Sequence, residues 1–100
     1  MAHILFIESN PIGFEGIKKA KKHGHSVTFV TTDLNYYYKR NQLQPVQQNI
    51  DRIIELTSYD DMNQVEKDLL KSLGNEKPDS IMTFNELHVH VAAELAARFG

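Results

Sequence analysis

Strand-like and helix-like segments alternate along this chain, which predicts an α/β domain: an open, mainly parallel four-stranded sheet with helices on both faces. Two observations carry that expectation. Short apolar runs recur at residues 4–7, 27–30, 50–56 and 80–84, and most segments between them place apolar residues at helical spacing and close on glycine. The size agrees, because 100 residues of which 41% are hydrophobic suit one domain with one core.

Ile4, Leu5, Phe6 and Ile7 form a run too short for a buried helix and bounded by turn residues, the pattern of a strand buried on both faces. Ile12, Phe14, Ile17 and Ala20 then recur at helical spacing among Lys18, Lys19, Lys21 and Lys22, with Gly24 as the stop. Those lysines crowd the half of the helix where the macrodipole favours cations. Residues 27–30 make a β-branched second strand that closes at Thr31-Thr32-Asp33. Residues 34–49 are polar, glutamine-rich and interrupted by Pro45, and read as a long crossover with room for one helical turn.

Residues 50–56 (IDRIIEL) read as the third strand, and Ser58 with Asp61 has capping-box spacing for a helix that turns Met62, Val65, Leu69, Leu70 and Leu73 inward. That helix stops at Gly74 and Asn75. After the Lys77-Pro78-Asp79 turn, residues 80–84 (SIMTF) form the fourth strand, and Leu87, Val91, Ala92, Leu95 and Phe99 mark a final amphipathic helix. Its pattern is still running at Gly100, and such sheets ordinarily continue, so the expectation is one domain of a longer protein.

Composition narrows the partners. A formal net charge of -2 offers no basic excess for nucleic acid or an anionic membrane surface. With no cysteine, thiolate metal sites and cysteine nucleophiles are absent. The longest apolar run, residues 4–7, is far short of the roughly 20 residues that cross a bilayer. Met1-Ala2-His3 leads straight into that run without the basic stretch and cleavage site of a secretory signal, so the cytoplasm is the expected location.

In open α/β sheets ligands bind beyond the carboxyl ends of the strands, near the point where strand order reverses. That rule selects Glu8, Ser9, Asn10 and Gly13 after the first strand, Thr31, Thr32 and Asp33 after the second, and Thr83, Asn85 and Glu86 after the fourth. With the first strand central, its loop and the fourth become neighbours. The loop ESNPIGFEG has G-x-x-G spacing, neither a dinucleotide fingerprint nor a phosphate loop, so Asn10 as cap, Pro11 at the first helical position and glycines for close packing outweigh a phosphate cradle. Thr83 and Glu86 have capping-box spacing and also face the crevice. Asp33 reads as a solvated residue starting a loop.

His88 and His90 are two apart and point to different helix faces, while Glu86 and His90, four apart, are two ligands where zinc needs three or four. His23 and His25 flank Gly24 at a helix end. No metal site and no catalytic residue are assigned. Tyr36, Tyr37 and Tyr38 pack the crossover onto the body, serve an interface, or stack on a ring.

The segments ESNPIGFEGIKKAKKHGHSVTFVTTD, IDRIIELTSYDD and PDSIMTFNELHVHVAAELAARFG, in that order and spacing, resemble the N-terminal domain of ATP-grasp ligases over nearly the whole chain. This is the Rossmann-like pre-ATP-grasp, or biotin-carboxylase N-terminal-like, domain, nearest in flavour to carbamoyl-phosphate-synthase-like and L-amino-acid-ligase-like members. The resemblance implies residues 1–100 as the substrate-side domain of a carboxylate-amine or carboxylate-thiol ligase working through an acylphosphate. ATP and Mg2+ would be held mainly by later domains, leaving this chain non-catalytic alone. It implies a small-molecule carboxylate or amino-acid substrate, the remaining ATP-grasp domains as partners, and leaves homodimerisation open. Carried over by position, the substrate contacts are Glu8, Ser9, Asn10, Gly13, Glu15, Thr83, Asn85 and Glu86. The alternative is a free-standing receiver or flavodoxin-like binding or regulatory module, although a receiver needs an acidic pair where the first loop has one acid.

Overall fold

The computed structural model describes residues 2–74 and 76–100. Four strands, β1 (His3–Ile7), β2 (Ser26–Thr31), β3 (Arg52–Glu55) and β4 (Ser80–Met82), form one sheet in the order β3-β2-β1-β4. Every pairing is parallel, with Phe6 opposite both Phe29 and Met82. The chain builds outward from β1 through β2 to β3, then returns to the other side of β1 for β4. Strand order therefore reverses at β1, and the crevice of the doubly wound fold opens at its carboxyl end.

Four α-helices cover the two faces: α1 (Pro11–Lys22), α2 (Leu34–Lys39), α3 (Met62–Leu73) and α4 (Val89–Phe99). Because successive strand side chains point to opposite faces, β1 alone feeds two cores. Phe6 joins Val27 and Phe29 against Phe14 and Ile17 of α1, with Tyr37, Leu43 and Val46 closing that side. Leu5 and Ile7 join Val30 and Ile54 against Val65, Leu69 and Leu73 of α3 and Ala92 and Leu95 of α4. One core thus holds four buried aromatic rings among its aliphatic residues, while the buried residues of the other are all aliphatic.

The crossover is more ordered than its polarity suggests. Asp33 caps α2 by accepting from the Tyr36 amide at 3.2 Å, and a 3-10 helix follows at Gln44–Asn49. A six-residue helix is too short to display periodicity; Tyr37, Leu43 and Val46, all buried, hold it by tertiary packing. The expected third strand loses its first two residues, because Ile50 ends the 3-10 helix and Asp51 bonds Val27 through both backbone and carboxylate. The fourth ends at Met82, since the Thr83 hydroxyl bonds the Ile7 carbonyl instead of continuing the ladder.

Neither capping box forms as its spacing suggested. Asp61 itself caps α3, accepting from Asn63 and Gln64, while Ser58 bonds only the Asp60 amide. Asn85, not Thr83, caps a short 3-10 helix at Glu86–His88 that precedes α4. In each case the residue next to the first turn outcompetes the one further back. Gly74 stops α3 at φ 64°, a backbone region open to glycine, and Asn75 lies outside the described residues.

Candidate binding site at the carboxyl edge

Glu8 continues β1 beyond its last paired residue, its amide donating to the Val30 carbonyl at 2.8 Å. Its φ of 56° lies in the left-handed region, which costs a side-chain-bearing residue about 1–2 kcal/mol. The turn sends the carboxylate inward, leaving the residue 6% exposed. One oxygen accepts from Thr31 Oγ1 at 2.8 Å and the Tyr37 hydroxyl at 2.5 Å; the other accepts from the Thr32 amide at 3.0 Å and the Tyr59 hydroxyl at 2.6 Å. Four charge-assisted bonds offset both the strain and the cost of withdrawing a carboxylate from water.

The same bonds tie the ends of β1 and β2 to α2 and to the loop after β3. Burial pushes both tyrosine hydroxyls above their ordinary range, and the hydrogen bonds to Glu8 and its charge push further in that direction. Both stay protonated and donating across the physiological range. Tyr37 also accepts from the Ser9 amide at 3.1 Å, so one phenol serves as donor and acceptor.

Asn10 spends both ends of its amide. Its oxygen caps α1 by accepting from Gly13 at 2.7 Å, and its nitrogen donates to the Phe84 carbonyl at 2.8 Å. Phe84 stacks on Phe6 with ring centres 6.2 Å apart and lies across the first turns of α1. A Cβ on Gly13 would clash with Ser9 Oγ and come within 2.9 Å of Phe84, and one on Gly16 would come within 3.2 Å of Phe84. The glycines thus admit the β4–α4 loop, and the Gly13 amide is taken by the Asn10 cap beneath the Phe84 ring.

Above Glu8 opens a cavity of about 250 Å³. Thr32 and Asp33 line it from the end of β2, Tyr36 and Tyr37 from α2, and Asn85, Leu87 and His88 from the 3-10 turn after β4. Leu87 is 85% exposed at its rim. The Tyr36 ring carries the Arg40 guanidinium at 3.8 Å, a cation–π contact. His88 meets Tyr59 edge-on with ring centres 5.2 Å apart, and its Nδ1 is buried without a partner among the described residues. Among the described residues, the lining holds two carboxylates, Glu8 and Asp33, and neither lysine nor arginine.

Of the residues selected from sequence at the carboxyl edge, Glu8, Thr32, Asp33 and Asn85 line this cavity. Asn10 and Thr83 hold the two loops together, and Ser9 is buried, with its hydroxyl donating to the Asn10 carbonyl. Gly13 sits beneath Phe84. Glu15 is exposed on α1, 2.9 Å from Lys18, and Glu86 is exposed on the 3-10 turn; neither lines the cavity. Asp33, expected at this edge as a solvated residue starting a loop, is exposed, and it also lines the cavity and caps α2.

Tyr36, Tyr59 and His88 were not selected. Tyr59 follows β3 at the same edge, so the carboxyl-edge rule applied to the third loop would have found it. His88 escaped because phasing it on a continuous helix hides the 3-10 turn that sets its direction.

No protein-family model matches this chain, and no curated protein does. Among solved structures, 93% of the chain superposes on N5-carboxyaminoimidazole synthetase from Staphylococcus aureus, a protein solved with ADP, with a TM-score of 0.55 and 23% identity. The match covers 22% of that protein's chain, so this chain spans about a fifth of its length. At this identity the likeness establishes a shared fold.

Proposed function

We propose that this chain is the substrate-side domain of an ATP-dependent ligase that joins a carboxylate to an amine or thiol, with the cleft above Glu8 forming one wall of the active site. The observation that carries the reading is that a synthetase shares the fold over 93% of the chain, together with a cavity at the strand-order reversal, where this fold binds ligands. The sequence resemblance along the chain points the same way. Activation through an acylphosphate, with ATP and Mg2+, is the chemistry this reading assigns to the complete protein.

The residues present at this edge do not fit the phosphates of ATP. The Gly13 amide in the first turn of α1 is taken by Asn10 and covered by Phe84, and the cavity lining carries carboxylates with no lysine or arginine among the described residues. Nucleotide would therefore be held by other parts of a longer protein in the cytoplasm, and the domain's own part is to shape the substrate side. Asn85 lines that wall directly, whereas Asn10 and Thr83 act through the loops they join.

The test is the complete natural gene product assayed with Mg-ATP, a panel of carboxylic acids and hydroxylamine, reading hydroxamate and ADP. An acid-dependent hydroxamate supports the reading, and the 100-residue chain alone forms none. A gene product that contains no further domain able to bind ATP, or that turns over no acid in the panel, overturns it.

A further inference from the structure

The acidic side chains that line the cavity are Glu8 and Asp33. Glu8 contributes a negative charge whose oxygens are already occupied by four donors, so it acts on a ligand through its field. Asp33 differs: it is exposed, spends Oδ1 on the Tyr36 amide, and its second oxygen has no partner among the described residues. Beside it stands the Tyr36 ring, steadied by Arg40, and opposite stands the exposed side chain of Leu87. An entering phosphate or carboxylate would meet two like charges with no compensating cation in the lining. An ammonium group would meet a carboxylate oxygen of Asp33 beside the Tyr36 ring, one face of which Arg40 already covers.

We infer that this cleft binds the amine-bearing partner of the ligation, a small molecule with a primary ammonium beside a ring or short apolar body, and that Asp33 is the side chain that receives the ammonium. A volume of about 250 Å³ suits such a molecule and is small for a nucleotide. The amine's role as a partner in the ligation rests on the ligase reading; the charge preference rests on the cavity alone.

The experiment is an amide-resolved NMR titration of the 100-residue chain with benzylammonium, benzoate and inorganic phosphate. Benzylammonium shifts the amides of Thr32, Asp33, Tyr36 and Leu87 saturably, with at least tenfold higher affinity than benzoate. Asp33→Asn keeps the capping oxygen for Tyr36 and removes only the charge. It lowers the benzylammonium affinity at least fivefold while the rest of the spectrum stays in place. Benzoate or phosphate binding these residues as tightly, no shift with benzylammonium, or an unchanged affinity in Asp33→Asn each overturns the assignment. The ligase reading fails separately: an inactive gene product with this preference intact sinks that reading alone, and an active one without the preference sinks the amine assignment alone.

Discussion

The two ends of the sheet solve the same problem in different solvents. At the amino end, polar groups are paired at the surface: the Asp79 carboxylate takes the His3 amide at 2.7 Å, His25 takes the Ala2 amide at 3.0 Å, and Lys21 meets Asp51 at 2.6 Å with both side chains well exposed. The hydrogen bond from Lys21 holds the Asp51 carboxyl below its ordinary range. At the carboxyl end the Glu8 carboxylate is buried, and its four donors arrive from three separate parts of the chain. Water can replace a lost partner at the first end and cannot at the second. The amino end therefore tolerates change, and the carboxyl end makes a cavity whose walls depend on one another.

Removing the buried anchor gives the sharpest contrast. Glu8→Ala leaves two phenols, a hydroxyl and an amide without their acceptor, and the expected loss is about 3–5 kcal/mol in urea unfolding, on the scale of breaking a buried charge network. A loss under about 1 kcal/mol would show that water reaches the site and would erase the distinction between the ends. Tyr59→Phe removes one of those donors and is expected to cost about 1.5–3 kcal/mol, the range for bonds to a charged group.

The raised tyrosines supply a pH test with a definite sign. Tyr37 and Tyr59 keep their protons in the native state at pH values where unfolded tyrosines, with pKa near 10, release them. Their contribution to stability is complete below about pH 10 and falls as pH rises above it, because the unfolded state sheds protons first. Alkaline unfolding of the wild type and of Tyr59→Phe, followed by circular dichroism, reads this directly. A stability that stays level well above pH 10 would place the two phenols in water.

Gly13→Ala probes the joint between the loops. In an ordinary helix the change gains up to about 1 kcal/mol, whereas here the new methyl meets Ser9 and Phe84 and the expected outcome is a loss of about 1–3 kcal/mol. A gain would mean that Phe84 moves freely off α1. The smallest effect belongs to the amino end: Lys21→Ala should cost about 0.2–1 kcal/mol and less at high salt, as exposed ion pairs do.

Much of the fold was legible because its signals are local. The apolar runs at Ile4 to Ile7 and at Val27 to Val30 fall within β1 and β2, and the periodic segments that carry Ile17 and Leu69 fall within α1 and α3. The short α2 was not legible, since six polar-looking residues become a helix only when Tyr37 finds the aromatic core. Within the site, Glu8 was visible by its place at the end of a strand. Its partners were not, because Thr31, Tyr37 and Tyr59 lie 23, 29 and 51 residues away along the chain.

By itself the sequence determined which segments pair as strands, which faces they bury and which edge carries the polar loops, since hydrophobic period and turn chemistry act over a few residues. The tertiary structure decided what those polar residues do. A carboxylate at the end of β1 is equally able to meet a substrate or to be enclosed. Only the arrival of two distant phenols, a hydroxyl and an amide enclosed Glu8 and left Asp33 facing the cavity with an oxygen to spare.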